Sequence, residues 1–91
     1  MKTGLDFERK FIEVITEMVI LSGMNHTDFA KKTFGETDGS VVKWRRMRNA
    51  FSATGRPQRL TVGEAWRMAE VLGKTYPELC FTVEQRLKAE K

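Results

Sequence analysis

The sequence predicts an all-α fold, a compact bundle of about five helices forming one domain over residues 1–91. Two observations carry this expectation. Apolar residues recur at spacings of three and four through successive segments, and each segment is bracketed by residues that start or stop helices. A chain of 91 residues has room for one core and none for a second domain.

The first helix is expected from Asp6, a good N-cap, through Phe7, Phe11, Val14, Ile15, Met18, Val19 and Leu21, with Ser22 and Gly23 ending it. Asn25 caps a second helix, with Asp28 near its free N–H groups and Met24 and Phe29 placed as a hydrophobic staple. That helix runs to about Phe34 and stops at Gly35. The polar run from Glu36 to Ser40 is a turn and the start of a third helix, capped by Thr37 or Asp38 and expected over about 38–48. Periodicity is lost between Asn49 and Leu60, where Ser52, Thr54, Gly55 and Pro57 mark a loop or a small hairpin. Thr61 and Glu64 are spaced as a capping box before Val62, Ala65, Trp66, Ala69 and Leu72, and Gly73 stops this fourth helix. Thr75 and Glu78 repeat the device for a fifth, over about 75–88, with Pro77 in its first turn, where a missing N–H is harmless.

Charge is distributed unevenly. The net charge is +4, yet Gly39 to Gly63 holds Lys43, Arg45, Arg46, Arg48, Arg56 and Arg59 and no acidic residue. The other ten basic residues face all twelve acidic ones, so the rest of the chain is slightly negative. A localised positive field points to a polyanion, because neutralising phosphates releases condensed counterions; a solvated charged face is the plainer alternative.

Other classes have less support. No apolar run is long enough for a membrane span or a signal peptide, so a cytoplasmic location is expected. Cys80 is the single cysteine and reads as a small buried apolar residue. One His, one Cys and no glycine-rich phosphate loop support neither an enzyme nor a metal or cofactor site. Single-strand RNA readers carry their aromatics on strands, which this pattern lacks.

Helices two and three, joined by a short glycine-containing turn, form a unit able to present the second of them to the DNA major groove. On a helical projection Val41 and Trp44 fall on one side of helix three, and Gly39, Val42, Lys43 and Arg46 on the other. Trp44 and Trp66 both lie on apolar stripes and are expected in the core.

From about Phe11 to Leu79 these residues resemble the phage-repressor type of helix-turn-helix, the family of the lambda and 434 repressors. The resemblance lies in Phe29-Ala30, Gly35, Val41, Trp44, and the stretch from Leu60-Thr61-Val62 to Ala69-Glu70-Val71-Leu72-Gly73. Met47 and Arg48 continue the helical pattern where the family often has a small residue, so helix three is expected to be longer here. The resemblance implies that Thr37 caps the recognition helix and that Asp38, Gly39 and Lys43 face base edges. Asp38 can accept from cytosine N4 or serve only as a favourable charge at the helix start, Val42 can meet a thymine methyl, and Lys43 can donate to guanine. His26 stands where the family often has a glutamine, implying a phosphate contact that braces the recognition helix, or simply an exposed helix-start residue. Arg45, Arg46, Arg56 and Arg59 are the remaining phosphate candidates, whereas Arg48 lies nearer the packed face, where an internal salt bridge is possible. The expected partners are double-stranded DNA and a second copy of the chain, paired through helix five, with no cofactor. The implied role is a transcriptional repressor, bacterial or phage-encoded. The alternative is a helical protein-interaction module, such as an antitoxin or a regulator's partner.

Overall fold

The computed structural model describes residues 4–53 and 60–89, and every regular element among them is helical: α1 (Gly4–Leu21), α2 (His26–Phe34), α3 (Asp38–Ala53), α4 (Val62–Val71) and α5 (Tyr76–Ala89). The capping chemistry explains most boundaries. Asn25 accepts from the Asp28 N–H at 2.7 Å. At the start of α4, Thr61 Oγ1 accepts from the Glu64 N–H at 3.1 Å while Glu64 Oε1 accepts from the Thr61 N–H at 2.9 Å. Thr75 and Glu78 exchange the same pair of bonds at 3.3 and 3.2 Å. Each box satisfies backbone donors that have no partner inside the helix.

Two boundaries differ from expectation. α1 begins at Gly4, so Asp6 lies inside the first turn rather than at the cap, where its charge still faces the positive end of the helix dipole. α3 continues to Ala53, well past the expected end, because nothing in Met47–Ala53 breaks a helix. The rest of the expected loop, residues 54–59, lies outside the described residues, and Arg56 and Arg59 with it.

One core joins all five helices. α1 supplies Phe11, Val14, Ile15 and Val19; α2 supplies Phe29 and Ala30; α3 supplies Trp44 and Met47; α4 supplies Ala65, Met68 and Ala69; α5 supplies Leu79, Val83 and Leu87. Burying each of the larger side chains stabilises the fold by roughly 1.5–3 kcal/mol before entropy is counted. α1 and α5 lie side by side and point the same way, since Tyr76 at the start of α5 meets Phe11 of α1, with rings 6.1 Å apart, and further along both helices Arg86 pairs with Glu17. The radius of gyration, 12.7 Å, is close to the ~12 Å expected of a compact domain this long. Among the described residues no helix is long and apolar enough to cross a membrane.

Four apolar expectations need correcting. Leu21 is 85% exposed because it is the last residue of α1 and projects beyond the packed helices. Val62 and Trp66 are 64% and 54% exposed, because α4 turns the ridge of Ala65, Met68 and Ala69 to the core and leaves them on its flank. Trp66 lies beside the Tyr76 ring, 6.2 Å away. Cys80 is half-buried rather than a core residue, and hydrogen bonding with it, together with burial, raises the Tyr76 hydroxyl above its ordinary pKa.

Thr61→Ala removes the acceptor for the Glu64 N–H and should cost about 1 kcal/mol. In urea titrations the midpoint should fall for Thr61→Ala with an unchanged slope, and stay near the parent value for Thr61→Ser. Equal losses in both variants would show that the capping bond does not set α4's start.

Candidate nucleic-acid interface

The α2–α3 turn is three residues long and tightly held. Gly35 has φ 123°, a conformation that disfavours any side chain, and its N–H donates to Lys31 O at 3.0 Å. Its carbonyl accepts twice, from the Thr37 N–H at 2.9 Å and from Ser40 Oγ at 2.6 Å. Ser40 is buried and also lies 3.2 Å from Thr37 Oγ1. The first turn of α3 is thereby tied back to the end of α2, which limits the angles available between the two helices.

Trp44 fixes that angle from inside. It is fully buried, with Phe29 of α2 4.9 Å from its ring centre. A buried indole N–H needs an acceptor. His26 supplies it, its Nδ1 accepting from Trp44 Nε1 at 3.0 Å. An accepting Nδ1 places the ring proton of a neutral imidazole on Nε2. Burial first, and then the charge of Arg48, hold the His26 pKa below the ordinary histidine value. His26 is therefore a neutral donor through Nε2 at the start of α2.

With Ser40, Trp44 and Met47 buried, the rest of α3 divides into an outward crest and two flanks. Asp38, Gly39 and Arg46 on the crest are exposed, and Val42 beside them is half-buried. A Cβ at Gly39 would meet only Thr37 Oγ1, at 3.6 Å, so the backbone is open to approach there. One flank carries Arg48 near His26, with Arg45 next to Arg48. The Arg48 guanidinium lies over the Trp44 ring at 5.7 Å, and its buried Nε has no hydrogen-bond partner among the described residues. Burial, and then the charge of Arg45, lower the Arg48 pKa. A cation–π stack thus stands where the sequence allows Arg48 a salt bridge. The other flank carries Lys43, whose ammonium pairs with Glu64 of α4 and lies over the Phe34 ring at 4.8 Å.

Against the sequence expectations, the structure places Asp38, Gly39, Val42 and Arg46 along the crest, and it brings His26 close to Arg48, which in turn lies close to Arg45. Lys43 stands apart, held toward α2 and α4. Val41, expected to pack, is half-buried and packs against the edge of the core, with Ser40 in the fully inward position one residue earlier. The chain matches no family model, no curated protein and no solved structure.

Three residues of this surface take roles that the sequence pattern does not assign to them. Ser40 has a usable signal, its spacing of four from Trp44 and seven from Met47. Arg48 lies near the packed side of its helix, and the capping role of Glu64 accounts for it without a partner on α3. The stacking of the one and the ion pair of the other arise only from the packing of α3 against α2 and α4.

Because the folded chain favours neutral His26, the unfolded chain binds the extra proton first as the pH falls. Stability present above about pH 6.5 should decline as the pH drops through the window between that value and the lowered folded pKa. His26→Gln keeps an acceptor for Trp44 but does not titrate. Thermal melting from pH 8 to 5 should show the decline in the parent and a flatter profile in the variant, and identical profiles would remove His26 as its source.

Proposed function

We propose that this chain is a sequence-specific DNA-binding transcriptional regulator of the helix-turn-helix kind, which lays α3 in the major groove of double-stranded DNA. The observation that carries the reading is a tightly clamped α2–α3 pair whose outward crest is short-chained at its start and basic further along, with no acid after Asp38 until Glu64. A helix fits the major groove, and its first turns are the part that meets base edges.

The roles follow from position. Asp38, Gly39 and Val42 lie where base edges would come, and Lys43 lies on the adjoining flank, tied to Glu64. Arg45, Arg46 and His26 Nε2 are arranged for phosphates, and Arg48 joins them. An arginine that is partly desolvated and stacked on Trp44 gains more from an incoming anion at its terminal nitrogens than a fully hydrated one does. The N-terminus of α2, next to His26, adds its dipole to the same flank. A homodimer fits this reading, with two recognition helices about one helical turn apart and α5 as the pairing element. Its inner residues Leu79, Val83 and Leu87 are committed to the core, so pairing would use the outer face that carries Phe81, which is 63% exposed.

A second reading draws on other residues. Ile20, Leu21, Val62, Trp66 and Phe81 are large and exposed, and an apolar hollow of about 250 Å³ opens between Phe7, Phe11, Leu60, Val62 and Tyr76. These favour a protein partner, as in an interaction module.

Selection from a random duplex pool, followed by binding across a salt series, separates the two. The DNA reading predicts a symmetric enriched site. Arg46→Ala should weaken binding to every duplex and reduce the salt slope by about 0.9 for each phosphate the arginine neutralises. Lys43→Ala should relax base preference at one position, by on the order of 1–3 kcal/mol. Absence of enrichment and of duplex affinity at low salt would leave the protein-partner reading.

A further inference from the structure

The Lys43–Glu64 pair is built differently from the other ion pairs described. Lys10–Glu13, Arg67–Glu70 and Lys88–Glu84 join neighbours on one helix, and Arg86–Glu17 joins exposed side chains of α1 and α5. Lys43–Glu64 links the candidate recognition helix to the first turn of α4, and the glutamate side chain is 17% exposed against 38% for the lysine. Glu64 has little freedom, because Oε1 is held by the Thr61 N–H at 2.9 Å while Oε2 takes the ammonium. Burial alone would raise its pKa; the hydrogen bonds from Lys43 and Thr61 and the charge of Lys43 outweigh that and keep it ionised. Phe34 supports the lysine from α2, 4.8 Å from Nζ. A side chain that normally samples many rotamers is thus confined between a fixed carboxylate and a ring. An ammonium has three donors, so its bond to Glu64 leaves others unspent.

From this geometry we infer that Glu64 is a positioning residue for DNA specificity: it holds Lys43 as a directed donor to a base edge and keeps it from reaching the phosphates. The inference rests on the DNA-binding reading above. A lysine free to follow the nearest phosphate contributes equally to every sequence, whereas a tethered one contributes only where an acceptor lies within its narrow reach.

Glu64→Gln tests this cleanly, because glutamine also closes a capping box while lacking the charge. The probes are the duplex enriched by the parent chain and a shuffled duplex of the same composition. With melting near the parent value, Glu64→Gln should bind the shuffled duplex about 3–10-fold more tightly, with a salt slope steeper by about 0.9, as expected when one more phosphate is neutralised. Affinity for the enriched duplex should change less, so the specificity ratio falls. In a Lys43→Met background, which keeps the apolar stem on Phe34, the Glu64→Gln effect should vanish. An unchanged ratio in Glu64→Gln would overturn the inference and leave the DNA reading intact, as would an equal gain in the Lys43→Met background, which would assign Glu64 to general repulsion of phosphate. Failure of the parent to enrich any duplex would overturn both.

Discussion

The arrangement of α2 and α3 depends on one buried side chain. Trp44 has no exposed surface, yet its indole N–H must be satisfied, and the acceptor is the Nδ1 of His26 at the opposite end of α2 from the turn. Leaving that N–H unpaired would cost about 1–3 kcal/mol, a large fraction of the stability of a small domain. The bond therefore selects one rotation of α3 about its axis, and Phe29, 4.9 Å from the indole, fills the space beneath. Together with the Ser40 bond to the Gly35 carbonyl, α3 is held near both ends of its contact with α2.

That single rotation decides what α3 can offer a partner. Turning Ser40, Trp44 and Met47 inward carries Asp38, Gly39, Val42 and Arg46 outward, and sends the basic residues beside them to opposite flanks. Arg48 lies near His26, with Arg45 next to it, and the bond that Nδ1 accepts from Trp44 leaves Nε2 as the donor of the neutral ring. Lys43 meets Glu64 and loses much of its freedom. The same helix thus carries cations of two kinds, some available to any anion and one restrained by its own fold.

Local chemistry makes much of the fold legible. Capping boxes at Thr61 and Thr75, the Asn25 cap and the glycine stops act within a few residues, so the sequence places five helices with errors mainly at the ends of α1 and α3. Periodicity locates a helix face but not what covers it, and this is why the pattern assigns Trp66, Val62 and Leu21 to a core that does not reach them. The site is legible to a lesser depth. The outward positions on α3 follow from angular spacing, whereas the bonds that matter for it join residues far apart in sequence: His26 to Trp44, Lys43 to Glu64, and Arg48 stacked on an indole that is itself buried by α2. No spacing rule connects those pairs, because each exists only once the helices have packed.

The most direct test that the crest of α3 is the DNA-binding surface is a titration of the isotopically labelled chain with its selected duplex, followed residue by residue in NMR amide and indole signals. The largest changes should fall on Gly39, Val42, Arg46 and the N-terminus of α2, with the Trp44 indole signal retained and its bond to His26 intact. Changes centred on Ile20, Trp66 or Phe81, or a spectrum indifferent to DNA, would contradict it.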